Sequence, residues 1–434
     1  MEKNSLFRRD FMMVVLGQII SLFGNSILRF ALPLYLLNVT GSPAIFGIIS
    51  ACAFLPMLLL CPIGGIIADR INKRNIMVIL DFSTAALILV LTIMLGRVDV
   101  VILLLVTLIV LYGIMGSYQP AVQASIPCLI APEDIMAANS VITLVNSLSG
   151  LLGPVIGGAV FGFYGINPIL YVSIGCFLFS AIMEIFIHIP FEKKESSGSV
   201  FAIGLRDMKE SIHYIKVDQP EIWKVSLLIA AINLFLSSMI MIGLPIIVTK
   251  MLDFELATGN RMYGYAQGSI AAGSLAGGLL AGIFSKKIRA KHSPAILYIC
   301  TLTLIPMGLA LQFVSSSGLI YAILLFSCFI MLATASMFSV QMMAYLQMIT
   351  PGNLIGKIIS CAMCVGMCAQ PIGQALYGVL FDQLFSTPYY IFYGAFVMTM
   401  VVCFLNRKMF LRLDKVVENV MKGDVEVPGE AVQG

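Results

Sequence analysis

Apolar residues run through this chain in long blocks, broken by short polar or turn-forming stretches. Twelve blocks stand out, at approximately 11–37, 43–67, 75–95, 99–123, 139–163, 168–189, 223–249, 262–285, 293–314, 317–346, 355–381 and 388–405. A bilayer core about 30 Å thick is crossed by about 20 residues of helix, so each block predicts a membrane-spanning helix. Breakers mark several joints: Thr40-Gly41-Ser42-Pro43, Ala131-Pro132-Glu133-Asp134, Asn167-Pro168, Ser315-Ser316-Ser317-Gly318, Thr350-Pro351-Gly352-Asn353 and Thr387-Pro388. The first block is too long for a secretory signal peptide and has no small-residue cleavage site. The longest polar interruption, 190–222, holds FEKKESSGS and then an amphipathic stretch with Ile203, Leu205, Met208, Ile212 and Ile215. It predicts a linker after helix six. The expected organisation is a six-helix half over 1–189, a cytoplasmic linker over 190–222, a second six-helix half over 223–406 and a cytoplasmic tail over 407–434.

Composition agrees with lipid as the solvent. Apolar residues make up 59% of the chain and charged residues 11%, with a mean hydropathy of +0.99. A soluble domain carries about a quarter of its residues charged. With the N-terminus placed in the cytoplasm, 22 of the 26 lysines and arginines fall on the inner side. Such asymmetry predicts an even helix count with both termini inside. The expected location is a cytoplasmic (inner or plasma) membrane. The net charge of +4 carries no basic patch interleaved with aromatics, so nucleic acid is not an expected partner. Cys361, Cys364 and Cys368 have a metal-like spacing, but they sit in a small-residue helix with no second ligand group nearby. They read as packing residues, and no metal or cofactor is expected.

The chain also repeats itself. Gly64-Gly65 and Gly277-Gly278 are 213 positions apart, Pro33 and Pro245 are 212 apart, Pro132 and Pro351 are 219 apart, and Pro154 and Pro371 are 217 apart. Four pairs in order, at one offset near half the chain, predict two parallel six-helix repeats about an axis along the membrane normal. That architecture places a substrate site midway through the bilayer, between the halves.

These marks resemble the major facilitator superfamily over about residues 8–406. The stretch Gly64, Gly65, Asp69, Arg70, Lys73, Arg74 is similar to that family's signature between helices two and three. The second copy keeps the glycines and Lys286-Lys287 but has Gly282 where Asp69 stands. Helix five reads GLLGPVIGG, with Gly150, Gly153, Pro154, Gly157 and Gly158, similar to the motif that marks exporters within the superfamily. The opening GQIISLFGNSILRFALPLYLLNVTGSP looks most like the macrolide-efflux and siderophore-exporter branch. The resemblance implies a twelve-helix, all-α major facilitator fold, a monomer, an exported amphiphile and protons as the coupling ion.

Two readings attach to each gating motif. Asp69 with Arg70 and Arg74 forms either a gate that pairs when the cytoplasmic side is shut, or a tight turn with topology charges. Lys286 and Lys287 read as topology charges. The glycines of helix five with Pro154 give either a bendable, side-chain-free face or close packing in lipid.

Polar residues at helical spacing sketch a cavity. Gln18, Asn25 and Arg29 share a face of helix one; Tyr112, Gln119 and Gln123 share one on helix four; Asn139 and Asn146 do so on helix five. Asn233 with Ser237 on helix seven, and Gln370 with Gln374 on helix eleven, are one turn apart. Such residues face a bundle interior or water, and their alternative use is an interhelical hydrogen bond. Arg29 lies about eight residues, or roughly 12 Å, from the outer end of its helix. It has no acid on that helix, so it faces an aqueous cavity, a carboxylate on another helix or a substrate anion.

Proton antiport needs a titratable group reachable from both sides. Asp81 in helix three and Glu184 in helix six are the candidates, with Asp382 at the outer end of helix eleven; the alternative for Glu184, about one turn from the cytoplasmic end, is that it simply reaches water. No GxxxxGK[ST] nucleotide loop is present, so ATP is not a direct drive. The expectation is a secondary exporter of amphiphilic small molecules. Import or facilitated diffusion of a metabolite is the second reading. A membrane enzyme or receptor is the third, and no catalytic set or appended domain supports it.

Overall fold

The computed structural model describes residues 9–130, 134–189, 220–284, 289–350 and 355–422. Pro132, Pro351, Lys286, Lys287 and most of the predicted linker and distal tail lie outside these residues. The described secondary structure is helical: α1 (Arg9–Thr40), α2 (Pro43–Arg70), α3 (Lys73–Met94), α4 (Val100–Leu129), α5 (Ile135–Tyr164), α6 (Ile166–Ile185), α7 (Pro220–Met251), α8 (Leu256–Ile283), α9 (Ser293–Phe313), α10 (Ser317–Met348), α11 (Ile355–Gln383), α12 (Tyr389–Leu405) and α13 (Arg407–Lys422). Eleven, α1 to α11, are long and apolar enough to cross a membrane. The twelfth, α12, has 17 residues and reaches spanning length only together with Arg407–Lys415, beyond a 41° bend. Large apolar side chains lie open on these helices, among them Leu59, Leu279, Phe326 and Phe404. Exposure of that kind is tolerable only where lipid is the solvent. The chain is a multi-pass membrane protein.

Local chemistry sets the helix ends. Ser42 caps α2 by accepting from the Ile45 N–H, with Pro43 in the first turn. Asp99 caps α4 by accepting from the N–H groups of Val101 and Ile102. The break between α5 and α6 falls at Gly165, whose φ of +75° favours glycine. The sequence placed that break at Asn167-Pro168. Pro168 instead sits in the first turn of α6, where a missing N–H costs nothing.

The chain forms two compact units. One comprises Met1–Gly204 with Pro245–Gly268, the other Leu205–Leu244 with Ser269–Gly434. In the first unit α1 packs against α5 and α6, α2 against α4, and α3 against α4 and α6. The segment Pro245–Gly268 joins this unit through close backbone approach and specific side-chain pairs. A Cβ on Gly158 would lie 2.7 Å from the Gly264 Cα. Phe30 stacks on Tyr263 at 4.9 Å, and Asn38 Nδ2 donates to Asn260 Oδ1 at 2.9 Å. In the second unit α7 packs against α11, and α9 against α10 and α12. The start of the predicted tail is an amphipathic helix: α13 buries Met409, Phe410 and Leu413 and exposes Lys408 and Arg412. Asp414 on it faces Arg289 Nε at 3.7 Å.

The first glycine of each repeated pair has a common packing role. A Cβ on Gly64 of α2 would lie 2.7 Å from the Ser117 Cα of α4, and one on Gly116 would lie 2.9 Å from the Met57 carbonyl of α2. In the second copy, a Cβ on Gly277 of α8 would overlap the Ala333 carbonyl of α10. Each glycine lets two backbones touch, a device of helix association in lipid. Gly282, the counterpart of Asp69, has nothing within 4 Å. Gly64→Val and Gly277→Val are expected to lower the thermal unfolding midpoint in detergent. Gly282→Asp is expected to leave it within error, as measured by the same melt.

Candidate functional site

The first unit holds a buried polar cluster drawn from four helices. Gln18 and Ser21 come from α1, Asp81 from α3, Tyr118 from α4, and Ser180 and Glu184 from α6; all are buried. Gln18 Nε2 donates to the Tyr118 hydroxyl at 2.7 Å, and Tyr118 in turn donates to Glu184 Oε1 at 2.8 Å. Ser21 Oγ donates to Asp81 Oδ1 at 3.0 Å, and Ser180 Oγ donates to the Gly17 carbonyl at 3.2 Å. Glycine at position 17 leaves room for this: a Cβ there would be 3.5 Å from Ser180 Oγ and 3.7 Å from Glu184 Cγ. Gln18 Oε1, Asp81 Oδ2 and Glu184 Oε2 are buried with no hydrogen-bond partner. The ion pairs among the described residues, Lys224–Glu221 and Arg289–Asp414, lie elsewhere.

Gln18 therefore sits in a buried interhelical network. Asn25 is also buried, with Oδ1 unpartnered. Arg29 is half-buried, and its guanidinium lies over the Tyr112 ring, 5.1 Å from the centroid. Of the α4 stripe, Tyr112 is buried, Gln119 half-buried and Gln123 exposed. On α5, Asn139 and Asn146 are exposed, and Asn146 Nδ2 donates to its own helix at the Ile142 carbonyl.

Helix α5 uses its glycines on two sides. Cβ atoms on Gly153 and Gly157 would press on α1, at Ser26 and at Phe30 with Ile27. Gly158 instead meets Gly264 and Asn260 of α8, and Gly162 meets Arg261 and Ala257. Gly150 has nothing within 4 Å. Pro154 lies inside the helix, and its carbonyl is among the atoms that pack against Gly264.

The signature loop is described in part. Gly64 packs as above, and Gly65, Asp69 and Arg70 fall within α2, but their side chains lie outside the described residues. Lys73 and Arg74 open α3 and are half-buried. Arg74 donates to Asn75 Oδ1 from Nε at 3.2 Å and from Nη2 at 3.1 Å.

In the second unit, Asn233, Ser237 and Gln370 line one cleft of ≈ 380 Å³, with Ser274, Ser336, Ser339, Met343, Met363 and Met367. Gln374 is buried beside it, and both Gln370 and Gln374 direct Nε2 at the Met241 sulfur, at 3.5 and 3.1 Å. The wall of this cleft on α7 is irregular. Asn233–Ser237 is a π-helical turn. A second, Ile247–Met251, lies further along α7 and is not part of the cleft lining. Asn233 Nδ2 donates to the Gly366 carbonyl at 3.0 Å, and the Ser238 hydroxyl reaches the Asn233 carbonyl at 2.8 Å and the Gln370 carbonyl at 3.0 Å. Tyr377 donates to the Phe235 carbonyl at 2.9 Å. Carbonyls freed by the widened turn thus find partners on α11 and within α7. Small hydroxyls, two amides and three thioethers make an adaptable lining for a bulky, mostly apolar molecule.

Sequence spacing missed Tyr118, Ser21, Ser180 and Met241. Tyr118 lies off the Tyr112–Gln119–Gln123 stripe, so a search by shared face points away from it. The useful signal was chemical instead: two acids and an amide inside apolar helices need buried partners.

The family model for the Major Facilitator Superfamily matches residues 14–332. The chain belongs to the major facilitator superfamily. It is 24% identical over 410 residues to macrolide efflux protein A of Streptococcus pyogenes, covering 93% of this chain and 96% of that protein. It is 22% identical over 404 residues to the staphyloferrin A transporter of Staphylococcus aureus, covering 90% and 95%. Among solved structures, a bacterial homologue of the iron transporter ferroportin, in an inward-facing state, superposes with a TM-score of 0.68 at 17% identity, covering 94% and 98%.

Proposed function

We propose that this protein exports amphiphilic small molecules, of the macrolide or siderophore-like type, across the cytoplasmic membrane by alternating access. Protons moving inward drive it, it works as a monomer, and both termini face the cytoplasm. The observation that carries the reading is the cleft of hydroxyl, amide and thioether groups on α7, α8, α10 and α11. Many weak contacts on such a surface hold varied amphiphiles without a rigid template. Near full-length similarity to a macrolide efflux protein and a staphyloferrin A transporter supports the substrate class. Arg29 adds a specific point: it is held over a ring, with no carboxylate ion pair among the described residues, and so offers charge to an anionic substrate.

The test is transport into proteoliposomes under an imposed proton gradient, with macrolides, other lipophilic drugs and anionic siderophore-like compounds. Movement of an amphiphile toward the acidic side is expected, and Asp69→Asn is expected to abolish it while the protein still inserts. Movement indifferent to the gradient overturns antiport. Accumulation in the opposite direction makes the protein an importer.

A further inference from the structure

The buried cluster of α1, α3, α4 and α6 has more acceptors than donors. Four bonds fix the cluster: one Gln18 N–H on Tyr118, Tyr118 on Glu184, Ser21 on Asp81 and Ser180 on the Gly17 carbonyl, with Ser180 also against Asp81. Three oxygens remain bare and buried, one on each of Gln18, Asp81 and Glu184. A lone unpaired acceptor is a cost that folds tolerate; three in one network, two of them carboxylate oxygens, call for positive charge. One added proton on a carboxylate oxygen creates the donor the network lacks.

We propose that Asp81 and Glu184, held by Ser21, Tyr118 and Gln18, are the proton-binding site of this transporter. The inference rests on the antiport reading and names where its proton is carried. Glu184 is one residue from the end of α6 and packs beside Gly17, while Asp81 is bonded to Ser21. The two acids are therefore staggered along α1 by about one helical turn, roughly 6 Å. At the α6 end, the His188 N–H donates to Asp10 Oδ1 at 3.0 Å, bringing the start of α1 beside it. A proton passes from water at that end to a bare carboxylate oxygen of the pair, forming an O–H bond. It is returned to water on the other side when the site opens there. Tyr118 and Gln18 are positioning residues: they fix Glu184 Oε1, which leaves Oε2 to take the proton.

The other charged or titratable groups on these helices stand apart from the pair. Arg9, Asp10 and His188 are at the helix ends, Lys73 and Arg74 open α3, and Arg29 is over Tyr112 further along α1. None of them is an ion-pair partner of Asp81 or Glu184 among the described residues.

The experiment uses the full chain in liposomes with no substrate present. Infrared difference spectra are recorded between acidic and alkaline buffer. A protonated-carboxyl C=O band is expected to grow on acidification, to be lost in Glu184→Gln, and to be weakened or shifted in Asp81→Asn. Tyr118→Phe is expected to keep the band but move the pH at which it appears; a purely structural hydroxyl would leave that pH unchanged. Should a variant fail to fold, the wild type is treated with a hydrophobic carbodiimide, which labels protonated carboxyls. Labelling of Glu184 or Asp81 that rises with acidity supports the site. A band that ignores pH, or carbodiimide labelling that does, overturns it. A band that responds to sodium at fixed pH makes it a sodium site instead. Because no substrate is added, a failed transport assay leaves this result standing, and intact antiport without the band moves coupling elsewhere.

Discussion

Gly158→Ala is expected to disable the protein, while Gly150→Ala, in the same GLLGPVIGG stretch, is expected to be silent. At 158 the new Cβ would lie 2.7 Å from the Gly264 Cα and 3.2 Å from the Asn260 carbonyl. Those are backbone atoms, so no flexible side chain gives way. Overpacking a tight interface costs about 1–3 kcal/mol, with the upper end fitting a backbone collision. At 150 the Cβ would meet nothing within 4 Å. Gly153→Ala is expected to be comparably damaging, because its Cβ would collide with the Ser26 Cβ, an atom held in place by the α1 backbone. The check is paired: thermal unfolding in detergent and gradient-driven efflux for all three variants. Equal loss in Gly150→Ala and Gly158→Ala would mean that the stretch acts through flexibility and not through contact.

Arg29→Ala is the second large effect, and it is expected to be selective. A charge-assisted hydrogen bond contributes about 1.5–3 kcal/mol, or roughly tenfold to hundredfold in affinity. Efflux of anionic siderophore-like compounds should fall by about that factor, while neutral lipophilic drugs stay close to wild type. Arg29→Lys keeps the charge but loses the flat face that lies on Tyr112, so it should recover only part of the loss. Tyr112→Phe keeps the ring and should be nearly silent. Concentration-dependent efflux in proteoliposomes separates a change in apparent affinity from one in maximal rate. Uniform loss across neutral and anionic compounds would make Arg29 a structural residue.

Much of the fold was legible because lipid imposes a simple rule on the chain. A spanning helix must satisfy its own backbone, so apolar length alone located the helices that were found. Gly41, Ser42-Pro43 and Pro388 marked real boundaries, since each acts through its own backbone geometry or cap. The two π-turns of α7 were not legible. The first depends on which carbonyls Ser238, Asn233 and Tyr377 can reach on neighbouring turns and on α11.

The candidate site divides the same way. Spacing put Asn233 with Ser237, and Gln370 with Gln374, one turn apart on their own helices; packing of α7 on α11 then set Asn233, Ser237 and Gln370 along one cleft. Spacing left Gln18 between a cavity and an interhelical hydrogen bond; in the structure the side chain is buried and bonded to Tyr118. A face known from sequence has no known neighbour until helices pack.

The sequence by itself determined the solvent, the helices, the internal repeat and the residue types available inside the bilayer. Only the tertiary structure decided which glycines touch backbone and which face open space, although Gly150 and Gly158 share one motif. It also decided that Gln18, Ser21, Asp81, Tyr118 and Glu184, scattered over 167 positions of sequence, form one donor-poor cluster. The reason is physical: apolar length is a property of one segment, whereas contact and hydrogen-bond saturation are properties of pairs.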